Sequence, residues 1–248
     1  MKKSPNKKLF SVIIPAYKQE KTIVKDLKRI ESVLKKIRYG YEMIVVVDGK
    51  IDKTSDRAKS LASAKIKIYQ YEKNQGKGHA VRFGMKKAKG DYIAFIDAGM
   101  EIDPNGLSML LEHLEWYQAD IVVGSKRHPA SKVNYPLDRR IVSTVYYLIV
   151  RCLFAISVKD TQAGIKIFRR GVLEKVLPLL LVKRYAFDIE LLSVAIRHGF
   201  TKIYEAPIKL DYQFESLTTS LSFKNVKNML IDTAAVFYRL NILHYYEK

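Results

Sequence analysis

Short apolar runs alternate with amphipathic stretches along the first half of the chain, which predicts strands separated by helices. Phe10-Ser11-Val12-Ile13-Ile14 is the first run and stops at Pro15-Ala16-Tyr17. Behind Thr22, a plausible cap, Ile23, Leu27, Ile30, Leu34 and Ile37 recur on one helical face. Met43–Val47 is a second strand pattern, ending in Asp48-Gly49, and a loop through Asp52 leads to a basic amphipathic helix from Thr54 to about Ala64. Ile66–Tyr71 predicts a third strand, followed by Asn74-Gln75-Gly76-Lys77-Gly78 and a helix carrying Val81, Phe83 and Met85. Tyr92–Ile96 and Ile121–Gly124 predict two more strands, with a helix from about Pro104 to Tyr117 between them. Strands alternating with helices in this way imply an α/β fold with a parallel, doubly wound sheet.

The second half changes character. Arg139-Arg140 opens a long helix that carries Val145, Tyr146, Leu148, Ile149, Val150, Leu153 and Phe154, apolar on more than one face. Two readings stay open: a core helix, or a helix lying on a bilayer with Arg139, Arg140 and Arg151 near lipid phosphates. Lys159–Arg170 combines a polar loop with a short strand, and Ala186–Leu192 starts a helix whose Asp188 and Glu190 suit the positive N-terminal dipole. Residues 203–212 read as one or two late strands interrupted by Pro207, and Phe223 to about Tyr246 as a basic amphipathic helix. The expected organisation is a flexible basic tail at 1–8, one α/β domain at 9–212, and a loop with the amphipathic helix at 213–248.

Composition narrows the partners. Lys and Arg number 44 against 25 Asp and Glu, a formal charge of +19, so the partner is anionic: nucleic acid, a phosphorylated substrate or an anionic membrane surface. No nucleic-acid recognition motif accompanies the charge, so no nucleic acid is expected. The single Cys152 excludes an intramolecular disulfide, points to a reducing, intracellular setting, and is expected to be a small buried residue. Trp116, the lone tryptophan, is expected to pack. No run of about 18 apolar residues predicts a membrane span, and the five histidines lack metal-ligand spacing.

The candidate chemistry gathers where strands end. Tyr92–Ile96 stops abruptly at Asp97, Ala98 and Gly99, with Glu101 and Asp103 beyond. Acids at the carboxyl end of a parallel strand suggest a hard cation, Mg²⁺ or Mn²⁺, with Asp97 as the first ligand and Glu101 as the second. Asp103 precedes Pro104 and reads as a helix cap. Lys77 between two glycines, just before a helix, suits a phosphate. The Walker A spacing and the dinucleotide pattern GxGxxG are both absent, which disfavours P-loop and NAD or FAD chemistry.

Ser11–Tyr17, Asp48-Gly49 with Asp52 and Thr54, Asn74–Gly78 and Gly90–Ala98 occur in an order and spacing that resembles the family 2 glycosyltransferases of the GT-A fold, a Rossmann-like, mostly parallel sheet flanked by helices. Gly124–Arg127, Arg139, Asp160–Phe168 and Ala186–Leu192 are similar to the branch of dolichol-phosphate mannose and dolichyl-phosphate glucose synthases. The resemblance covers about Leu9 to Tyr212. It divides the domain into a nucleotide-sugar half at about 9–124 and an acceptor half at about 125–212.

What it implies is specific. Pro15, Ala16, Tyr17 and Asp48 hold the nucleoside, with Gln19, Lys77, Asp97 and Ala98 completing the nucleotide-sugar contacts. In the family's Asp-x-Asp metal motif Asp97 matches the first acid, Gly99 replaces the second, and Glu101 falls on an assisting position. Further departures are Tyr17-Lys18-Gln19-Glu20 for Tyr-Asn-Glu-Glu, Val47 for the first acid of an Asp-Asp pair, and Phe214–Thr218 without Gly-x-Ser-Lys. The implied reaction is inverting transfer of a hexose from UDP-glucose or GDP-mannose to a polyprenyl or dolichyl phosphate, by an enzyme peripheral to the cytoplasmic face of a membrane. Lys126, Arg127 and Arg139 would hold the acceptor phosphate. A sugar-hydroxyl acceptor would instead need a base, Asp160 or Asp188, alongside Asp97 as catalytic groups. A nucleotide-sugar-binding homologue of weak activity is the remaining alternative.

Overall fold

The computed structural model describes residues 8–99, 101–133, 137–210 and 223–247, with 137–140 and 223–225 as backbone. In chain order the elements are β1 (Leu9–Ala16), α1 (Ile23–Leu34), β2 (Gly40–Asp48), α2 (Thr54–Lys59), β3 (Ile66–Tyr71), α3 (Lys77–Lys87), β4 (Tyr92–Ile96) and α4 (Asn105–Trp116). They continue with β5 (Ile121–Ser125), α5 (Leu137–Leu153), β6 (Ile165–Arg169), α6 (Arg170–Val176), α7 (Phe187–Arg197), β7 (Ile203–Pro207), α8 (Phe223–Asn241) and a closing 3-10 turn, Tyr245–Glu247. The strands form one sheet in the order β3-β2-β1-β4-β6-β5-β7.

β1, β2, β3 and β4 are mutually parallel, in a register that sets Ile13 opposite both Ile44 and Phe95. Helices cover both faces of such a sheet, so its central strands are apolar almost without interruption and buried throughout. β6 is the exception within the mostly parallel sheet: it runs antiparallel to β4 on one side and β5 on the other. Apolar periodicity carries no strand direction, so Ile165–Arg169 reads the same either way.

Several local expectations need correction. α2 ends at Lys59 because Ser60, Leu61 and Ala62 bond back three residues and Ser63 turns the chain into β3. α6 was not legible: it follows β6 directly and has only Val172, Leu173 and Val176 to bury. α8 stops at Asn241, where Ile242 and Leu243 both donate to the Tyr238 carbonyl and His244 takes a positive φ of 49°. That reversal tucks Tyr246 into the core. Among the described residues of 203–212, one strand forms, within the one or two expected, and Pro207 ends it on the outermost strand, where no ladder donor is required. Thr22 sits at the N-cap of α1, but its hydroxyl donates to Gln19 Oε1 rather than capping the helix. Trp116 is 84% exposed at the end of α4, and Cys152 is exposed as well, so neither packs as expected.

α5 combines the two readings left open for it. Tyr146 and Val150 are buried, and Tyr146 Oη meets Thr233 Oγ1 of α8 at 2.8 Å. Ile141, Val145 and Leu148 are each more than half exposed and, with Cys152, recur at helical spacing as one outward stripe. On α8, Ile231 and Tyr238 are exposed in the same manner.

Candidate active site

The carboxyl ends of β1, β2 and β4 open together on one edge of the sheet, and they line a cleft of about 790 Å³. Pro15, Ala16 and Tyr17 come from β1 and the residue after it, Asp48 from β2, and Asp97 and Ala98 from the end of β4. Gln19, Lys77, Glu101 and Lys126 reach the same cleft. Ten of the residues named from the sequence are therefore brought together here.

Asp48 is buried and turned toward its own chain. Its carboxylate accepts hydrogen bonds from Asn74 Nδ2 at 2.8 Å and from the N–H groups of Gln75 and Gly76 at 2.8 and 2.9 Å. The loop before α3 is thereby fixed, and α3 begins with Lys77 at the mouth of the cleft.

Lys77 Nζ lies 2.7 Å from Asp97 Oδ2 and over the Phe95 ring. Burial works against its charge, but the carboxylates of Asp97, Asp188 and Glu101 outweigh it and hold the ammonium above the ordinary lysine pKa. The second Asp97 oxygen, Oδ1, is buried and has no hydrogen-bond partner among the described residues. An orphaned carboxylate oxygen is costly unless a ligand completes it. With Glu101 it offers hard oxygen donors, which fit Mg²⁺ or Mn²⁺, cations that take one or two carboxylates and fill the remaining positions with phosphate oxygens and water. Among the described residues no group of three or more metal-binding side chains gathers, so the donor set matches that mode and not an all-protein cage.

Gly99, where an acid was expected from the motif, has φ +95°. Its N–H donates to Asp26 Oδ2 at 3.2 Å, and a Cβ would meet the Gln19 side chain at 3.3 Å. A second acid in this turn would be strained at the backbone and would have to push the Gln19 side chain aside. Burial pushes the Asp26 carboxyl up from its usual range, against the Gly99 N–H and the charges of Lys25 and Arg29. Asp103 does the local work predicted for it, with Oδ1 accepting from the Asn105 N–H at 3.0 Å, one residue earlier than the formal N-cap, Pro104.

The remaining candidates are placed differently. Asp160 is buried beside Lys126, whose N–H and Nζ reach it at 2.8 and 3.0 Å. Burial alone would raise the Asp160 pKa, but the Lys126 charge and hydrogen bonds hold it below the usual carboxylate range. Asp188 lies 2.5 Å from the fully buried Lys166, whose pKa burial pushes down against the pull of that carboxylate. Neither acid lines the cleft. Arg127 turns away onto the Ser143 and Thr144 hydroxyls and the Tyr147 ring. The Arg139 side chain and the Phe214–Thr218 segment lie outside the described residues. Of the two described cations assigned to the acceptor, Lys126 lines the cleft and Arg127 does not.

Sequence reasoning missed Gln162, Tyr146, Arg184 and Tyr185, which also line the cleft. Gln162 and Tyr146 lay inside patterns already noted, but nothing in the local sequence of Lys183-Arg184-Tyr185 marks a loop that returns to the α3 N-terminus.

Gly164 closes the floor. Its carbonyl accepts the Asp97 N–H at 3.0 Å, and a Cβ there would lie 2.1 Å from Asp97 Oδ2. Gly164→Ala is expected to displace the carboxylate and lower metal-dependent nucleotide affinity about tenfold or more, with unchanged circular dichroism. Calorimetry on the variant with Mn²⁺ checks this, and unchanged affinity would show that Asp97 is not held by this contact.

The profile of the family described as Glycosyl transferase family 2 matches residues 11–177. Among curated relatives, the dolichyl-phosphate beta-glucosyltransferase of Drosophila melanogaster is 35% identical over 77% of this chain and 64% of its own length. The one from Homo sapiens is 32% identical over 84% of this chain and 68% of its own. The chain thus spans about two thirds of the length of these relatives. Among solved structures, glucosyl-3-phosphoglycerate synthase from Mycobacterium tuberculosis, in complex with UDP, superposes with a TM-score of 0.69 at 18% identity, covering 93% of this chain and 79% of that one. Mannosyl-3-phosphoglycerate synthase from Rubrobacter xylanophilus gives 0.69 at 15% identity, covering 96% and 75%. At such identities the likeness concerns the fold, which is that of the GT-A enzymes.

Proposed function

The chain belongs to glycosyl transferase family 2, and from that premise we propose that it moves a hexose from a nucleotide diphosphate sugar to a polyprenyl phosphate at a membrane surface. The observation that carries this reading is the meeting of Asp97 and Lys77 at the N-terminus of α3, with one carboxylate oxygen left for a ligand. The nucleoside is received by Pro15, Ala16 and Tyr17, and the diphosphate by Lys77 and the first N–H groups of α3. A divalent cation held by Asp97 and Glu101 would neutralise charge on the diphosphate oxygens. Lys77 holds positive charge where negative charge develops on the departing nucleoside diphosphate.

The acceptor half rests on what the other acids do. Asp160 and Asp188, the candidate bases, do not line the cleft, and each is paired with a lysine, Lys126 and Lys166 respectively. A phosphate acceptor suits that arrangement: its second pKa is about 6, so it is largely a dianion at neutral pH and needs no base. Lys126, on the cleft wall, supplies a counter-charge for it. The outward stripe of Ile141, Val145 and Leu148 on α5, and Ile231 on α8, supports docking on a lipid surface. Among the described residues no helix is long and apolar enough to cross a membrane. The relatives named dolichyl-phosphate beta-glucosyltransferase make glucose the first sugar to test.

Calorimetric titration with UDP-glucose and GDP-mannose, each with and without Mn²⁺, should give metal-dependent binding of one donor. With that donor, a short polyprenyl phosphate should accept the hexose and the corresponding polyprenyl alcohol should not. Turnover on the alcohol or on a saccharide, with none on the phosphate, would overturn the acceptor assignment.

A further inference from the structure

Glu190 was read from the sequence as an acid favouring the N-terminal dipole of a helix, and it does lie in the first turn of α7. Its side chain is engaged elsewhere. Glu190 is fully buried, and its two oxygens accept the N–H groups of Leu181 at 3.1 Å and Val182 at 2.8 Å. Tyr246 Oη donates to the same carboxylate at 2.6 Å, and Arg239 Nη2 stands 3.8 Å away while its Nε reaches Tyr246 Oη at 2.9 Å. A buried carboxylate with this many donors fixes the backbone it binds.

The backbone it fixes leads straight to the donor site. One residue beyond Val182, the Lys183 carbonyl accepts the His79 N–H of α3 at 2.9 Å. The next, Arg184, lays its stem against Gly76, so closely that a Cβ on that glycine would come within 2.7 Å of Arg184 Cγ and 2.6 Å of the Lys183 oxygen. Arg184 and Tyr185 then line the cleft beside Lys77. An arginine that lines the cleft over the start of a helix already presenting Lys77 is placed for a diphosphate, which its planar fork can grip with two hydrogen bonds.

We propose that residues 181–185 form a diphosphate-gripping loop of the donor site, with Arg184 as the contact and Glu190, locked by Tyr246 and Arg239, as the positioning residue. The inference rests on the nucleotide-sugar reading above and deepens it. It also ties the C-terminal turn, far along the chain from the nucleotide half, to donor affinity.

The test compares nucleoside diphosphate with nucleoside monophosphate, UDP against UMP and GDP against GMP, by calorimetry at fixed Mn²⁺. Wild type is expected to bind one diphosphate more tightly than its monophosphate. Arg184→Ala should lower the diphosphate affinity about tenfold and leave the monophosphate unchanged, with Arg184→Lys between them. Glu190→Gln and the milder Tyr246→Phe should shrink the same diphosphate-to-monophosphate ratio although Arg184 is intact, a change that general loss of stability would not select. If Arg184→Ala keeps the ratio, the contact is wrong. If Tyr246→Phe and Glu190→Gln lower the melting temperature but keep the ratio, Glu190 is only structural and the positioning role falls. Wild type that binds neither nucleotide overturns the donor reading itself, and this loop with it.

Discussion

Asp97→Ala is expected to lower kcat/KM by about a thousandfold and to remove the metal dependence of nucleotide-sugar binding, with little change in melting temperature. Several kcal/mol of charge stabilisation at a departing diphosphate corresponds to a factor of about 10³. The substitution deletes the one carboxylate whose oxygen is both buried and unpartnered among the described residues, and it also releases Lys77 from its 2.7 Å ion pair. Stability should hold because the pair is partly exposed, and exposed pairs contribute about 0–1 kcal/mol. Steady-state kinetics over a Mn²⁺ series measures the effect. A variant with full turnover would remove Asp97 from the centre of the site and with it the assignment of the β4 edge.

The largest expected effect on stability lies one layer down. Lys166, the second residue of β6, has no exposed surface, and its ammonium is satisfied by Asp188 at 2.5 Å and the Ala163 carbonyl at 2.8 Å. Asp188→Ala leaves that ammonium buried beside one neutral acceptor and should cost about 3–5 kcal/mol in urea unfolding. The double variant Lys166→Met with Asp188→Leu should recover most of the loss, since neither charge then remains to be desolvated. A loss below about 1 kcal/mol for Asp188→Ala would mean that water reaches Lys166 and the pair is not the closed unit described here.

These two sites also mark where the sequence was legible. β4 runs from Tyr92 to Ile96 as the apolar run predicts, because a strand buried on both faces announces itself locally, and the half-buried edge strand β3 shows instead in the alternation of Ile66 and Ile68 with Lys67. Asp48 and Asp97 converge because each lies at the end of an apolar run and parallel strands bring their ends to one edge, and Lys77 joins them from the start of α3, which the loop after β3 leads into. Lys166 is different. Within Ile165-Lys166-Ile167-Phe168 a lysine reads as the polar member of an alternating strand, and only the partner from α7, Asp188, lets it be buried. Lys126 and Asp160, and Glu190 with Tyr246, are likewise partners from distant segments, which no window along the chain displays. Arg127 is the converse case: adjacent to Lys126 in sequence, it points to α5 because successive residues leave a strand end in opposite directions.

The antiparallel β6 has a further consequence, for synthesis on the ribosome. β3, β2, β1 and β4 are all complete once Ile96 has emerged, and they can pair as a half-sheet. β5 comes next, yet both of its neighbours in the sheet, β6 and β7, are encoded downstream of it. While the intervening α5 is being translated, the apolar edge of β4 and the run Ile121-Val122-Val123 are both unpaired, and at about 5–20 residues per second that interval lasts for seconds. Unpaired apolar edges are what draws one nascent chain to another. The strand that splits the parallel order therefore makes the segment between β5 and β6 the interval in which two apolar edges of the growing chain wait together for their partners.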